Sequence, residues 1–358
     1  MRICFVSHST SHFTIPYVDY FAKQGHEVHV VSLFPGDVPN AVNHHPLPRF
    51  SEPGLRTLTY SRAIRPVRKM LRFIDPCIVH AHYLTSNGLV AALAGCRPLI
   101  VSARGSDLHR MWNPLRRAAV SYAVRHADLV NPVSHHQHEL LLALGAPASK
   151  VLTLSQGVES DQFMHDRSRH DAGPVRLLCT RRLEATYNCV AILRALSILK
   201  DQGVAFHCTF AAGGPQEPHL KREASALGVV GHVTFLGGYC QDELPRLLED
   251  ADVYVSAKPT DGASVSLLEA MASGVFPVVT DIPGNREWLT GKGDSLLFRR
   301  GNVRELAAGL RIAIENAHLR YDAVDVNRRR VQLYGERRKN LARLAVVYEE
   351  LIGTYKRA

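Results

Sequence analysis

The sequence has no run of apolar residues long enough to cross a bilayer. Its first apolar run, Ile3–Val6, is far too short for the core of a secretory signal, so a cytosolic chain is expected. Seven cysteines are scattered without a C-x-x-C pair, and their number is odd. A disulfide framework is thereby disfavoured, and they read as reduced core residues. No internal repeat or low-complexity tract occurs. A G-x-G-x-x-G turn is also missing: the first apolar run leads into Ser7-His8-Ser9-Thr10-Ser11-His12, which argues against an NAD-dependent enzyme. Aromatic residues make up 7% and do not interleave with the basic ones, so no nucleic-acid partner is expected despite the charge. His135, His136 and His138 share a helical segment without an acidic third ligand, and no metal is expected there.

What is present suits a soluble globular chain of about two domains: 358 residues, 46% apolar and 21% charged. The formal charge is +10, and residues 1–160 hold 16 Lys/Arg against 9 Asp/Glu. An anionic partner for that half, or a merely solvated basic surface, accounts for the excess. Within it, Arg62, Arg65, Arg68, Lys69 and Arg72 interleave with Ile64, Val67, Met70, Leu71 and Phe73. Such a helix is able to lie on an anionic membrane surface, to stay solvated or to line a cleft.

Short apolar runs alternate with helical periodicity along the first half. Arg2–Ser7, Glu27–Leu33, Cys77–Ala81, Pro98–Ala103 and Asp128–Val133 read as strands. Ile15–Gln24, Ser86–Ala94 and Leu115–His126 read as helices, and Ser134 as the N-cap of another through Leu144. Residues 157–173 are polar and crowded (His165 to Asp171), which places a linker there. The alternation then restarts, with strands at Val175–Thr180, Phe206–Ala211, Val233–Leu236, Asp252–Ser256 and Phe276–Thr280. Helices are expected at Val190–Gln202, Glu217–Leu227 and Val265–Ala272, and a final amphipathic one over Glu336–Tyr355. The fold class is therefore α/β: two Rossmann-like doubly wound domains, 1–165 and 173–335, facing a cleft. Residues 336–358 are expected to pack back toward the first domain.

The most specific segment runs from Asp261 through Gly262, Ala263, Ser264 and Val265 to Glu269 and Gly274, followed by a strand and Pro283-Gly-Asn-Arg-Glu287. Small residues let backbone approach a ligand, and Ser264 caps a helix whose first amides and dipole favour phosphate. Two carboxylates flanking such a site suit the diols of a sugar and a ribose.

This segment resembles the E-x7-E region of the retaining family-4 glycosyltransferases, which have the GT-B fold. The resemblance implies Glu269 on the donor ribose, Asp261 on the donor sugar, and Ser264 and Val265 on the diphosphate, beside Gly262 and Ala263. Thr180-Arg181-Arg182-Leu183-Glu184 resembles the stretch where the family has an Arg and, five residues later, a Lys on the phosphates. Arg182 takes the Arg position and Tyr187 the Lys position, with Arg181 as a candidate for the missing charge. Ala212-Gly213-Gly214-Pro215 matches the family's glycine turn, and Gly238 precedes the loop that holds the nucleotide base. In the first domain His80-Ala-His82-Tyr83 and Ser102-Ala-Arg104-Gly-Ser-Asp107 also look like this family, with Arg104 where a His often stands. His82, Arg104 and Asp107 are thus assigned to the acceptor side. His80 and His82 share one strand face and read as core or cleft packing before metal. Asp250-Ala-Asp252 spells D-x-D, which a GT-B fold does not use for metal.

The implied activity is retaining transfer of a hexose-type sugar from a nucleotide-diphosphate sugar to a hydroxyl acceptor, a glycan or lipid-linked glycan in polysaccharide assembly. Arg182, Asp261 and Glu269 are the catalytic candidates; no cofactor or metal is implied. The enzyme would be cytoplasmic, at most peripheral on the inner membrane face. Another GT-B enzyme, such as a sugar-nucleotide 2-epimerase, stays open as an alternative.

Overall fold

The computed structural model describes residues 1–9, 11, 13–33, 38, 42–47, 56–105, 107–108, 111, 113–164 and 173–357, with residues 56–59 described by their backbone alone. Thr10, His12, Ser106 and the polar stretch His165 to Asp171 of the expected linker lie outside the described residues. The chain forms two compact units, Met1–Gln156 with Arg338–Ala358, and Gly157–Arg337.

In the first unit the strands are β1 (Arg2–Val6), β2 (Glu27–Ser32), β3 (Asn43–Pro46), β4 (Ile78–His82), β5 (Leu99–Ala103) and β6 (Leu129–Pro132). The helices are α1 (Ile15–Lys23), α2 (Arg56–Ile74), α3 (Leu89–Ala94), α4 (Pro114–His126) and α5 (His135–Ala143), with the closing helix described below. The sheet order is β3-β2-β1-β4-β5-β6, and every pairing among the described residues is parallel. Continuous apolar runs produce this, because a parallel strand is buried on both faces. Along β1, Cys4 and Val6 enter one core and Ile3 and Phe5 the other, as the two-residue period requires.

The second unit repeats the plan. Its strands are β7 (Val175–Cys179), β8 (Phe206–Phe210), β9 (Val233–Phe235), β10 (Val253–Ser256), β11 (Phe276–Thr280) and β12 (Leu296–Phe298). Its helices are α6 (Cys189–Asp201), α7 (Glu217–Ala226), α8 (Leu244–Glu249), α9 (Val265–Ser273), α10 (Pro283–Arg286), α11 (Val303–Glu315) and α12 (Ala317–Arg330). The order β12-β11-β10-β7-β8-β9 is again parallel. Strand order reverses between β7 and β10 here, and between β1 and β4 in the first unit. Loops leaving such a pair diverge and open a crevice at the strands' carboxyl ends.

Several elements escape sequence reading. β3 (Asn-His-His-Pro) is a polar edge strand, and β12 has three residues. α12 carries almost no apolar stripe; polar contacts hold it instead. Arg320 donates to the Ala313 and Ile314 carbonyls at the end of α11, and Arg328 to those of Ala272 and Ser273 at the end of α9. Cations there satisfy carbonyls that the helix itself cannot, and they meet the negative end of its dipole. The expected helix at Ser86 opens with a π-turn, Tyr83–Gly88, and becomes α-helical only at Leu89.

The basic helix α2 turns its apolar stripe to its own unit. Val67 and Leu71 are buried in the core of the first unit, with Ile64 and Met70 packed against it. Its apolar face is therefore already covered; Phe73 stands exposed among Arg62, Arg65, Lys69 and Arg72.

α13 (Arg337–Arg357) brings Leu341, Leu344 and Tyr348 into the core beneath β1 and α1. The Tyr348 ring stacks on Phe21 with centroids 5.0 Å apart. Its hydroxyl meets His80 Nδ1 at 2.5 Å. All seven cysteines are free thiols, four of them buried.

Two glycines set the loops after β7 and β10. A side chain at Gly214 would collide with the Leu183 carbonyl, while Leu183 donates its amide to Gly213. At Gly284, at the start of α10, a Cβ would stand 2.6 Å from the Asp261 carbonyl oxygen and 2.7 Å from that of Gly262.

Tyr348→Phe is expected to cost about 1 kcal/mol, the net worth of one buried hydrogen bond, and Tyr348→Ala about 3–5 kcal/mol; urea unfolding of the full chain measures both. Gly284→Ala is expected to lower stability by about 1–3 kcal/mol through overpacking against fixed backbone, and to displace residues 261–262.

Candidate functional site

The second unit gathers its predicted residues at the carboxyl edge of the sheet, on the loops that leave β7 and β10. Arg181 follows β7, and its side chain is 12% exposed. Its Nη2 donates to Asp261 Oδ2 at 2.9 Å and also to Ser264 Oγ, while Nε donates to Ser256 Oγ at 3.2 Å. One guanidinium fork thus ties the end of β7 to the whole loop after β10. Asp261 lies between two cations, since Lys258 Nζ reaches Oδ1 at 3.2 Å, and the Gly262 amide donates to Oδ1 as well. Burial alone would raise the Asp261 pKa; Arg181 and then Lys258 overcome it and hold the carboxylate below its ordinary range.

Ser264 is the N-cap of α9, accepting from the Leu267 amide at 3.1 Å. Its hydroxyl therefore serves both the cap and Arg181. As at any helix start, the first amides, those of Val265 and Ser266, have no partner within the helix. Gly262 and Ala263 bring the chain to that point with little side-chain bulk.

Glu269 sits one turn inside α9 and is 7% exposed. Burial pushes its pKa up to about 7, against the pull of Arg337, a hydrogen bond from Gln241 and the charge of Arg181. Gly213 and Gly238, on the loops after β8 and β9, approach closely: a Cβ on Gly213 would lie 3.7 Å from the Gly238 nitrogen. Arg182 does not join this set. Its side chain is 66% exposed and pairs with Glu184 at 2.7 Å. Tyr187 lies under both neighbouring cations, 4.9 Å from Lys258 Nζ and 5.8 Å from Arg181 Cζ to the ring centroid. Sequence reading missed Lys258, Ser256 and Gln241. Lys258 stands three residues ahead of Asp261, outside the segment that carried the resemblance. Asp250 and Asp252 both pair with Arg176 at the start of β7, the end of the strand away from these loops.

In the first unit, His82, Arg104 and Asp107 also come together, at the end of β4 and on the loop after β5. Arg104 is 6% exposed; Nη2 donates to His82 Nε2 at 3.0 Å and Nη1 to Tyr17 Oη at 3.2 Å. Its Cζ lies 4.7 Å from the Tyr17 ring centroid, a cation–π contact. A guanidinium only donates, so His82 accepts at Nε2 and carries its proton on Nδ1, toward Ser7 Oγ at 3.1 Å. His80 holds the opposite tautomer. Ser102 Oγ donates to Asn131, so it accepts from His80 Nε2, and Nδ1 accepts from Tyr348. Burial, and then the charge of Arg104, pushes both imidazoles well below the ordinary histidine range, so both are neutral. Asp107 accepts from the Arg104 amide at 2.8 Å, and burial pushes its pKa up to about 6. No carboxylate pairs with the Arg104 guanidinium among the described residues, and its Nε is buried without a partner.

Comparison with known proteins finds similarity to glycosyltransferases over most of the chain. Residues 160–330 match the family described as Glycosyl transferases group 1, and residues 2–134 that described as Glycosyl transferase 4-like. The amylovoran biosynthesis glycosyltransferase AmsK of Erwinia amylovora is 26% identical over 354 residues, covering 84% of this chain and 86% of its own. A GDP-mannose-dependent alpha-(1-6)-phosphatidylinositol monomannoside mannosyltransferase of Mycolicibacterium smegmatis is 32% identical over 213 residues, 55% of each chain. Among solved structures, HepE of Anabaena in complex with UDP aligns with a TM-score of 0.78 at 16% identity, covering 98% of this chain and 100% of that one. Sucrose-phosphate synthase of Thermosynechococcus elongatus aligns with a TM-score of 0.82 at 14% identity, covering 99% and 100%. At these identities the structural likeness speaks for the fold alone. With two parallel sheets of the same plan and both family matches, the chain belongs to the family-4 glycosyltransferases of GT-B fold and is a transferase enzyme.

Proposed function

We propose that the second unit binds a nucleotide-diphosphate sugar and that the enzyme moves a hexose-type sugar to a hydroxyl acceptor with retained configuration. The observation that carries this is the β7–β10 crevice itself. A buried carboxyl group, Glu269, lies one turn beyond the α9 amides, beside a cluster of cations. A nucleotide-diphosphate sugar has that order of groups: ribose diol for Glu269, diphosphate for the amides of Ser264 and Val265, sugar beyond. HepE has been solved with UDP and with UDP-glucose, and the M. smegmatis relative is named as GDP-mannose-dependent; both support a nucleotide sugar. The AmsK name, with its amylovoran biosynthesis, supports an acceptor that is a glycan or lipid-linked glycan in polysaccharide assembly.

In the reaction the bond from the anomeric carbon to the diphosphate oxygen breaks, and its electron pair leaves with the nucleoside diphosphate. A bond to the acceptor oxygen forms, and the acceptor proton passes to the departing phosphate. Charge builds on the leaving group, so preorganised donors there lower the barrier most. The α9 amides and the Arg181 side of the crevice are such donors. Arg182, exposed and held by Glu184, would have to turn from that partner to reach a phosphate. On the first unit, Arg104 offers a guanidinium that no carboxylate pairs with among the described residues, suited to a hydroxyl or anionic group of the acceptor, with His82 and Asp107 holding its position. Retention rests on the family resemblance. The exposed basic face of α2 supports, at most, peripheral contact with an anionic surface, which flotation with anionic liposomes tests.

Glu269→Ala is expected to lower transfer activity by at least about a hundredfold in an assay of sugar transfer across a panel of labelled donors. Full activity in that variant would remove the assignment. The pH dependence follows from burial. The folded-state pKa of Glu269 lies above its unfolded value, so the free protein loses stability as pH rises from the ordinary carboxylate range to about 7. A ribose diol donates to the carboxylate and favours the ionised form. Affinity for a nucleotide-diphosphate sugar is therefore expected to rise about tenfold between pH 6 and 8. Glu269→Gln flattens that profile, as measured by titration calorimetry.

A further inference from the structure

The family pattern places a lysine where this chain has Tyr187, so the donor phosphates have lost one ammonium at that position. The structure puts an ammonium back from another strand. Lys258 leaves the end of β10, and its Nζ lies over the Tyr187 ring at 4.9 Å, with Arg181 on the same ring at 5.8 Å. An aromatic ring face attracts cations, so Tyr187 is a platform that locates the charge it does not carry.

Around that ring the cations are Arg181, Arg182 and Lys258, and the carboxylates are Asp261 and Glu184. Three against two leaves one positive charge in excess, at a place where the Lys258 and Arg181 side chains are 22% and 12% exposed. Burial and the neighbouring guanidinium work against the ammonium, and Asp261 works for it. A partly buried cation in excess is costly unless an anion meets it.

Asp261 is already committed. Oδ2 takes Arg181; Oδ1 takes Lys258 and the Gly262 amide. A carboxylate has about four acceptor sites, and three are in use, whereas a vicinal sugar diol needs two.

We propose that Lys258 is the ammonium that contacts the donor diphosphate in this enzyme, and that Asp261 is a positioning residue holding Arg181 and Lys258 rather than a ligand of the sugar. This rests on the reading of the β7–β10 crevice as the donor site.

The test is calorimetric binding of UDP and GDP, and of UDP-glucose and GDP-mannose, to the full chain. Lys258→Met keeps an alkyl stem on Tyr187 and removes the charge. Nucleoside diphosphate affinity is expected to fall about ten- to a hundredfold, the worth of a charge-assisted hydrogen bond, while affinity for the free nucleoside stays unchanged. Adding Tyr187→Lys to Lys258→Met returns the ammonium from the β7 side and is expected to restore most of the loss. Asp261→Ala is expected to weaken nucleoside diphosphate and nucleotide sugar by similar factors. Thermal melts confirm that each variant is folded. Binding by Lys258→Met within twofold of the parent overturns the role of Lys258. A loss in Asp261→Ala confined to the sugar-bearing ligands overturns the role of Asp261. If the parent chain binds no nucleoside diphosphate at all, the donor-site reading falls and this inference with it.

Discussion

The ion pair between Arg181 and Asp261 is the contact on which the loops at the carboxyl edge of the second sheet depend. It spans the two neighbouring parallel strands at which strand order reverses, where the loops leaving them diverge beyond the backbone ladder. Removing either partner would leave a charge with little access to water, so the pair is held strongly once formed. From it follow the position of Ser264, the start of α9, and with them the direction in which the helix amides point. Gly284 closes the same loop from below, because any side chain there would push against the Asp261 and Gly262 carbonyls.

The first unit organises charge differently. Arg104 is buried with no carboxylate paired to its guanidinium among the described residues, and is held by a neutral imidazole, a phenol and two aromatic faces. Neutral and aromatic partners locate a cation without cancelling it, so its field stays available to whatever approaches. His80, one strand position pair away from His82, does structural work: its two nitrogens join β5 to the closing helix α13 through Ser102 and Tyr348. Two histidines on one strand face thus have separate duties, set by which neighbour donates.

Where the structure departs from sequence expectation, side-chain direction is the cause. Arg181 and Arg182 are adjacent and chemically identical. Beyond the end of β7 one side chain turns to the β10 loop and the other to solvent. The amphipathic look of α2 was real, and its apolar stripe is spent on the core of its own unit. α12 was invisible because its stability comes from arginines capping the ends of α9 and α11, a pattern without period.

By itself the sequence determined the α/β class, the order of its long apolar strands, and the small-residue loop and capped helix from Asp261 to Glu269. Those features are written in local periodicity and in small residues at fixed spacing, which need no partner to be read. Which arginine turns inward, that Lys258 lies over Tyr187, that Asp261 is held by Arg181, Lys258 and the Gly262 amide, and that burial raises the Glu269 pKa were decided by tertiary structure alone. Each depends on burial and on neighbours distant in sequence, and desolvation and ion pairing act only once the chain has brought those groups together.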